Sequence, residues 1–155
     1  MIKDIELDAQ HGAQIQNVDK FIDSQEKATA SLITVGIIEL TLRLGIFGTF
    51  LGHGCVALTI KPSWIPLITA YGFSQQTAIF LLPVIGALDI IIAFAILIKP
   101  FRYLLWWAVF WTFITAFSRI VAGEPIYEFI ERSANIMCPL ALLSLKGIKL
   151  KYISL

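Results

Sequence analysis

The sequence predicts an all-α, polytopic membrane protein: a four-helix bundle with a short interfacial segment between its first and second helices. Three observations predict it. The 155-residue chain is 57% hydrophobic and 15% charged, against roughly 45–50% and about 25% in soluble domains. Its apolar residues fall into runs long enough to cross a hydrocarbon core of about 30 Å, which takes roughly 20 helical residues. Prolines, glycines and charges, which end helices, punctuate those runs. The same composition excludes a disordered chain. Two cysteines exclude a disulfide scaffold, and a net charge of +1 excludes a strongly basic nucleic-acid binder.

The elements follow in order. Residues 1–30 form a polar, acidic extension of net charge −3, ahead of an apolar domain, 31–155, of net charge +4. The extension lacks the basic start and apolar core of a signal peptide. Within it, Ile15, Val18, Phe21 and Ile22 have amphipathic spacing, which fits either a docking face or a solvated tail. The first span, 31–59, exceeds what a bilayer needs, so it tilts or projects. Lys61-Pro62 ends it. The stretch Trp64 to Gly72 is too short to cross. Trp64 and Tyr71 suit an interfacial segment, and a plain loop fits equally well. The second span, 77–98, closes at Lys99-Pro100, and the third, 103–121, ends before Gly123, Glu124 and Pro125. The fourth, 128–145, closes at Lys146-Gly147, where glycine suits a C-cap. Lys99 and Arg102 in one loop, with Lys146, Lys149 and Lys151 in the tail, put both termini in the cytoplasm.

Ionisable groups are costly in a bilayer core and seek partners inside a bundle. On the first helix, Glu39, Arg43 and His53 lie within an arc of roughly 80°. Thr41, Gly45, Gly48, Gly52, Cys55 and Thr59 form an opposite stripe of small residues that admits another helix. The first helix is therefore expected to touch protein on both sides. Arg43 and Asp89 each fall within about 3 Å of the middle of their spans. That depth match predicts a buried Glu39–Arg43–Asp89 cluster, bridged by the five donors of the guanidinium. A second polar group, His53, Arg119, Glu128, Glu131, Arg132 and Asn135, collects toward the outer surface. Glu128, Arg132, Asn135 and Pro139 share one face of the fourth helix and can line a cavity open to the outside. Each cluster has a bland reading beside the functional one: register-fixing ion pairs for the first, interfacial solvation for the second.

The third span is densely aromatic. Trp106, Trp107, Phe110 and Trp111 fit either a lipid-facing belt or a wall against a flat ligand such as a quinone. Cys55 and Cys138 differ in depth by roughly 15 Å, too far for a disulfide. No metal-ligand set, CxxC, CxxCH, P-loop or GxSxG occurs in the sequence.

The run Arg43 to Gly54, with Phe47, Phe50 and a closing His53-Gly54, resembles the first-helix signature of the DoxX-like family. Gly86-Ala-Leu-Asp89 resembles its second-helix signature, in which glutamate usually stands where this chain has Asp89. The resemblance covers about residues 35–146. It implies a four-helix membrane protein, with Arg43, His53 and Asp89 as family positions. It also implies kinship with small subunits of quinone-linked oxidoreductases, including thiosulfate:quinone oxidoreductase. The expected role is a membrane subunit or assembly protein of a membrane complex in the bacterial cytoplasmic (inner) membrane. It would work in contact with lipid and with protein partners or copies of itself, not with nucleic acid. No resident cofactor is expected; the resemblance admits a quinone as ligand. Two alternatives stand beside it: a subunit passing electrons from a small thiosulfate-like anion to quinone, and a small transporter or proton pathway.

Overall fold

The computed structural model describes the backbone of residues 2–153 and the side chains of residues 14–147. Every regular element among them is helical. In chain order these are α1 (Ile2–Leu58), a 3-10 turn (Pro62–Trp64), α2 (Ile65–Thr69), α3 (Gln75–Ile98), α4 (Arg102–Val121), α5 (Ile126–Ile130) and α6 (Ser133–Ile153). Among the described residues, three helices are long and apolar enough to cross a membrane: the Gln14–Leu58 part of α1, α3 and α4.

The chain divides into two units, Met1–Ile38 and Glu39–Leu155. In the first, the described side chains from Gln14 onward are exposed or nearly so. The helix there is supported locally. Lys27 pairs with Asp23 one turn away at 2.7 Å, and the hydroxyls of Ser24, Thr29 and Thr34 donate to carbonyls of the preceding turn.

The second unit is built on one buried residue per helical turn. On α1 these are Ile46, Phe50, Gly54 and Ala57; on α3 they are Ala78, Leu82, Gly86, Asp89, Ala93 and Ile96. Leu105, Ala108, Thr112 and Ala116 do the same on α4, and Ile136, Pro139 and Leu142 on α6. The three-and-four spacing turns one stripe of each helix inward. The core joins Ile46, Ile96, Leu105 and Leu143 from the four helices. The outward stripes are apolar too. On α3 they run through Phe80, Leu88, Ile91 and Ile98, and on α4 through Tyr103, Trp106, Phe110 and Phe113. Water does not solvate such faces, but lipid does.

The tightest helix contact is between α1 and α3. A Cβ added at Gly54 would lie 2.8 Å from the Gly86 carbonyl oxygen, and one added at Gly86 would lie 2.7 Å from the Gly54 carbonyl oxygen. This contact lies on the polar-bearing face of α1, not on the opposite stripe. At Gly48 and Gly52 an added Cβ would meet nothing within 4 Å, and at Gly45 only the Cys138 sulfur at 3.9 Å. Within this unit, then, one face of α1 packs, and the small-residue face meets little else of the same chain.

The helix ends have local causes. After α1, Ile60 takes φ 52°, a left-handed conformation costing a β-branched residue about 1–2 kcal/mol. The Pro62–Trp64 turn and α2 follow at once. Ser74 caps α3 by accepting from the Thr77 backbone N–H at 3.1 Å, so the helix begins at Gln75, slightly before the expected 77. α4 ends with Gly123 at φ 83°, where Glu124 N–H reaches the Arg119 carbonyl and Gly123 N–H the Ile120 carbonyl. That pair of bonds is a Schellman closure.

The expected helix over 128–145 is interrupted. α5 stops at Ile130, Glu131 and Arg132 turn, and α6 starts at Ser133. At the break the Arg132 N–H bonds to the Phe129 carbonyl, leaving the Glu128 carbonyl without its usual i+4 partner. The Arg132 guanidinium takes that carbonyl at 2.5 Å. A side chain thus replaces the missing backbone donor.

Candidate functional site

The second unit holds a cavity of about 260 Å³. Five segments wall it. α1 contributes Thr49, Phe50 and His53; the Pro62–Phe73 segment contributes Trp64, Leu67, Tyr71 and Phe73. α3 supplies Leu82, Ile85 and Asp89, and α4 its inward stripe from Trp111 to Arg119. Arg132 and Asn135 close it from the α5–α6 side.

Its polar groups fall into two sets, about 12 Å apart along α4. At one end Asp89, 5% exposed, accepts a hydrogen bond from Trp111 Nε1 at 2.8 Å on Oδ1. Its Oδ2 has no hydrogen-bond partner among the described residues, and Asp89 lines the cavity. Trp111 is held flat against Trp107, with ring centroids 5.7 Å apart and planes 10° apart. At the other end lies an ion-pair network. Arg119 binds Glu124 at 2.7 Å and Glu128 at 3.5 Å, while Arg132 binds Glu128 at 3.0 Å and Glu131 at 2.6 Å. Glu128 is shared by both arginines, which ties the end of α4 to the α5–α6 turn. Three carboxylates against two guanidiniums leave this set without surplus positive charge. Between the sets the walls are apolar or aromatic. The hydroxyls of Thr112, Thr115 and Ser118 donate to carbonyls of their own helix, so their protons are committed.

His53 faces Trp64 with ring centroids 5.8 Å apart, and Lys61 Nζ sits over the same indole, 5.8 Å from its centroid. Among the described residues no group of three or more His, Cys, Asp or Glu is arranged to hold a metal. Both cysteines are free.

The sequence-predicted sites are thus partly regrouped. The cavity brings His53, Arg119, Arg132 and Asn135 together, with Glu128 and Glu131 behind the arginines. The Glu39–Arg43–Asp89 cluster does not form as one. Arg43 pairs with Glu39 at 2.5 Å and Lys146 Nζ lies 3.6 Å from the same carboxylate oxygen, whereas Asp89 joins Trp111. The cause is depth. Ile46 packs in one cluster with Ile96. From that level Asp89 lies about 10 Å along α3 in one direction, and Arg43 about 4.5 Å along α1 in the other. Span midpoints misplace Arg43 because the run 31–59 straddles the division between the two units, which falls between Ile38 and Glu39. The aromatic wall also divides. Trp106, Trp107 and Phe110 are exposed on the outer face of α4, while Trp111 turns inward. Sequence reasoning missed Glu124 and gave Trp64 no place in a site. The spacing Arg119-x₃-Gly123-Glu124 is a readable signal, since a glycine closure folds position 124 back over 119.

Described residues that are all helical or in turns, apolar outer faces, and ionisable groups gathered at the ends of an internal, mostly apolar cavity mark a membrane protein. Residues 47–143 match the model of the DoxX-like family, and the chain belongs to that family. The match includes His53, Asp89 and the whole Arg119–Asn135 network, while Glu39 and Arg43 precede it. No curated protein and no solved structure matches the chain.

Proposed function

We propose that this chain is an integral membrane subunit or accessory protein of a membrane complex, and that its cavity holds the ring of a lipid-soluble molecule of the quinone type. In this reading α1, α3, α4 and α6 cross the bacterial cytoplasmic membrane as a four-helix bundle with both termini inside. The cavity is the observation that carries it. At about 260 Å³ it falls just below the usual range for whole small-molecule ligands, roughly 300–1,000 Å³. It suits a ring whose tail stays in lipid. The chain's residues fit such a ring: Trp64, Tyr71 and Trp111 offer aromatic contact, and Asn135, His53 and the arginines offer donors to ring oxygens. A bound quinone would supply two-electron, two-proton chemistry. The chain's own residues bind, orient and exclude water.

Two features favour this over the alternatives. The arginines are neutralised by Glu124, Glu128 and Glu131, which weakens the case for a captured thiosulfate-like donor. Arg43 and Asp89 sit in separate groups, which weakens the case for one continuous proton path. The open small-residue face of α1, at Gly48 and Gly52, leaves room for a partner helix or a second copy.

The test is tryptophan quenching of the detergent-purified chain by a short-chain benzoquinone. Saturable quenching is expected, with affinity about fivefold weaker in Asn135→Leu, which loses one cavity donor. Quenching that rises linearly and equally in both proteins would mean simple partitioning and would overturn the ligand reading. Recovery from mild detergent only as a lone monomer would count against the partner half.

A further inference from the structure

The cluster displaced from the cavity, around Arg43, is a candidate site of its own. The core layer of the second unit ends on Ile46, Ile96, Leu105 and Leu143. Three residues farther out, about 4.5 Å along each axis, every one of the four helices or its end carries a base: Arg43, Lys99, Arg102 and Lys146. The described carboxylate recorded among them is Glu39, and it serves both Arg43 and Lys146 through the same oxygen. This end of the unit is therefore rich in positive charge.

Lys99 and Arg102 are exposed and are accounted for by the excess of bases that fixes topology. Arg43 is different. Its side chain is 25% exposed, and its Nε is fully buried with no hydrogen-bond partner. Setting orientation does not require a guanidinium to be buried, and a buried donor left unpaired costs free energy. Lys146, 24% exposed, leans in beside it at 3.6 Å from Glu39, longer than a hydrogen bond. Both cations retain donor capacity, and they come from helices far apart in sequence.

We propose that Arg43 and Lys146 form a binding site for a phosphate-bearing anion, chemically the headgroup of an acidic phospholipid. Guanidinium geometry matches phosphate oxygens, with the ammonium as a second point charge. Basic pockets between membrane helices take such headgroups. The site is separate from the cavity and does not depend on the quinone reading.

Native mass spectrometry of the full chain in mild detergent tests it, titrating phosphatidylglycerol, phosphatidylcholine and inorganic phosphate. Phosphatidylglycerol is expected to bind at least tenfold more tightly than phosphatidylcholine. Arg43→Gln and, independently, Lys146→Gln should each remove most of that preference, while Lys99→Gln leaves it. Lys146→Gln alters no core residue, so it reports even if Arg43→Gln misfolds. Competition by inorganic phosphate below millimolar concentration would assign the same site to a soluble phosphate. Equal binding of both lipids, or loss of the preference in Lys99→Gln as large as in Lys146→Gln, would overturn the proposal in favour of diffuse surface charge.

Discussion

The Gly54–Gly86 crossing makes the sharpest demand on the fold. In Gly86→Ala the new methyl would stand 2.7 Å from the Gly54 carbonyl oxygen, 3.0 Å from the Leu58 nitrogen and 3.1 Å from the Ala57 Cβ. Two of these three are backbone atoms, so no rotamer change relieves the clash. In Gly54→Ala the methyl would meet Ile90 Cγ1 at 2.7 Å and the Gly86 carbonyl oxygen at 2.8 Å. Carbon and oxygen need roughly 3.5 Å for ordinary contact, so α1 and α3 must separate by several tenths of an ångström along their seam. Overpacking of this kind costs about 1–3 kcal/mol. Gly48→Ala and Gly52→Ala supply the control, because nothing lies within 4 Å of either position. Replacing a helical glycine there is neutral or stabilising by up to about 1 kcal/mol. Reversible unfolding of the four variants in one detergent should rank Gly54→Ala and Gly86→Ala well below wild type, with the other two at or above it. Equal stability across the set, or a greater loss at Gly48 and Gly52, would refute the assignment of the packed face.

Two further perturbations address the site. Trp111→Phe leaves Asp89 buried without its donor and should lower stability by about 1–3 kcal/mol; adding Asp89→Leu should recover part of that loss, and additivity of the two changes in thermal unfolding would contradict the pairing. Arg132→Met strips the Glu128 carbonyl of its substitute donor and both glutamates of a partner. Amide hydrogen exchange between Tyr127 and Asn135 should accelerate by about tenfold or more, consistent with about 1–3 kcal/mol of lost protection; unchanged exchange would show that the turn does not depend on the guanidinium.

The sequence carries the helices more clearly than the site. α3 and α4 are legible because length, hydropathy and bounding residues such as Lys99-Pro100 and Gly123 agree. The inward stripes are legible as well, since Leu105, Ala108, Thr112 and Ala116 keep helical spacing. The break at Glu131–Arg132 is not, because it exists through one arginine side chain standing in for a backbone N–H. A helix-face pattern presumes an unbroken ladder and has no means of anticipating that exchange. The partner of Asp89 was unreadable for another reason. The centre of an apolar run marks depth only when the run belongs to one unit, and 31–59 straddles the division between Ile38 and Glu39. The glycines illustrate a third limit. Composition marks Gly45, Gly48 and Gly52 as a close-approach stripe, whereas the approach occurs at Gly54, which stands alone on the polar face. Which polar groups would share one enclosure depended on the Pro62–Phe73 segment folding over His53, a tertiary event absent from any single helix pattern.

In the proposed function a quinone ring enters the cavity between Asp89 and the arginine pair and does not lie against the aromatic outer face of α4. Photolabelling of native membranes with a benzoquinone photoprobe, followed by peptide mapping, separates these two placements. Binding in the cavity gives adducts confined to residues 64–73 and to the inward residues between Trp111 and Arg119, abolished by excess unlabelled quinone. Adducts confined to Trp106, Trp107 and Phe110, insensitive to competitor, would contradict it.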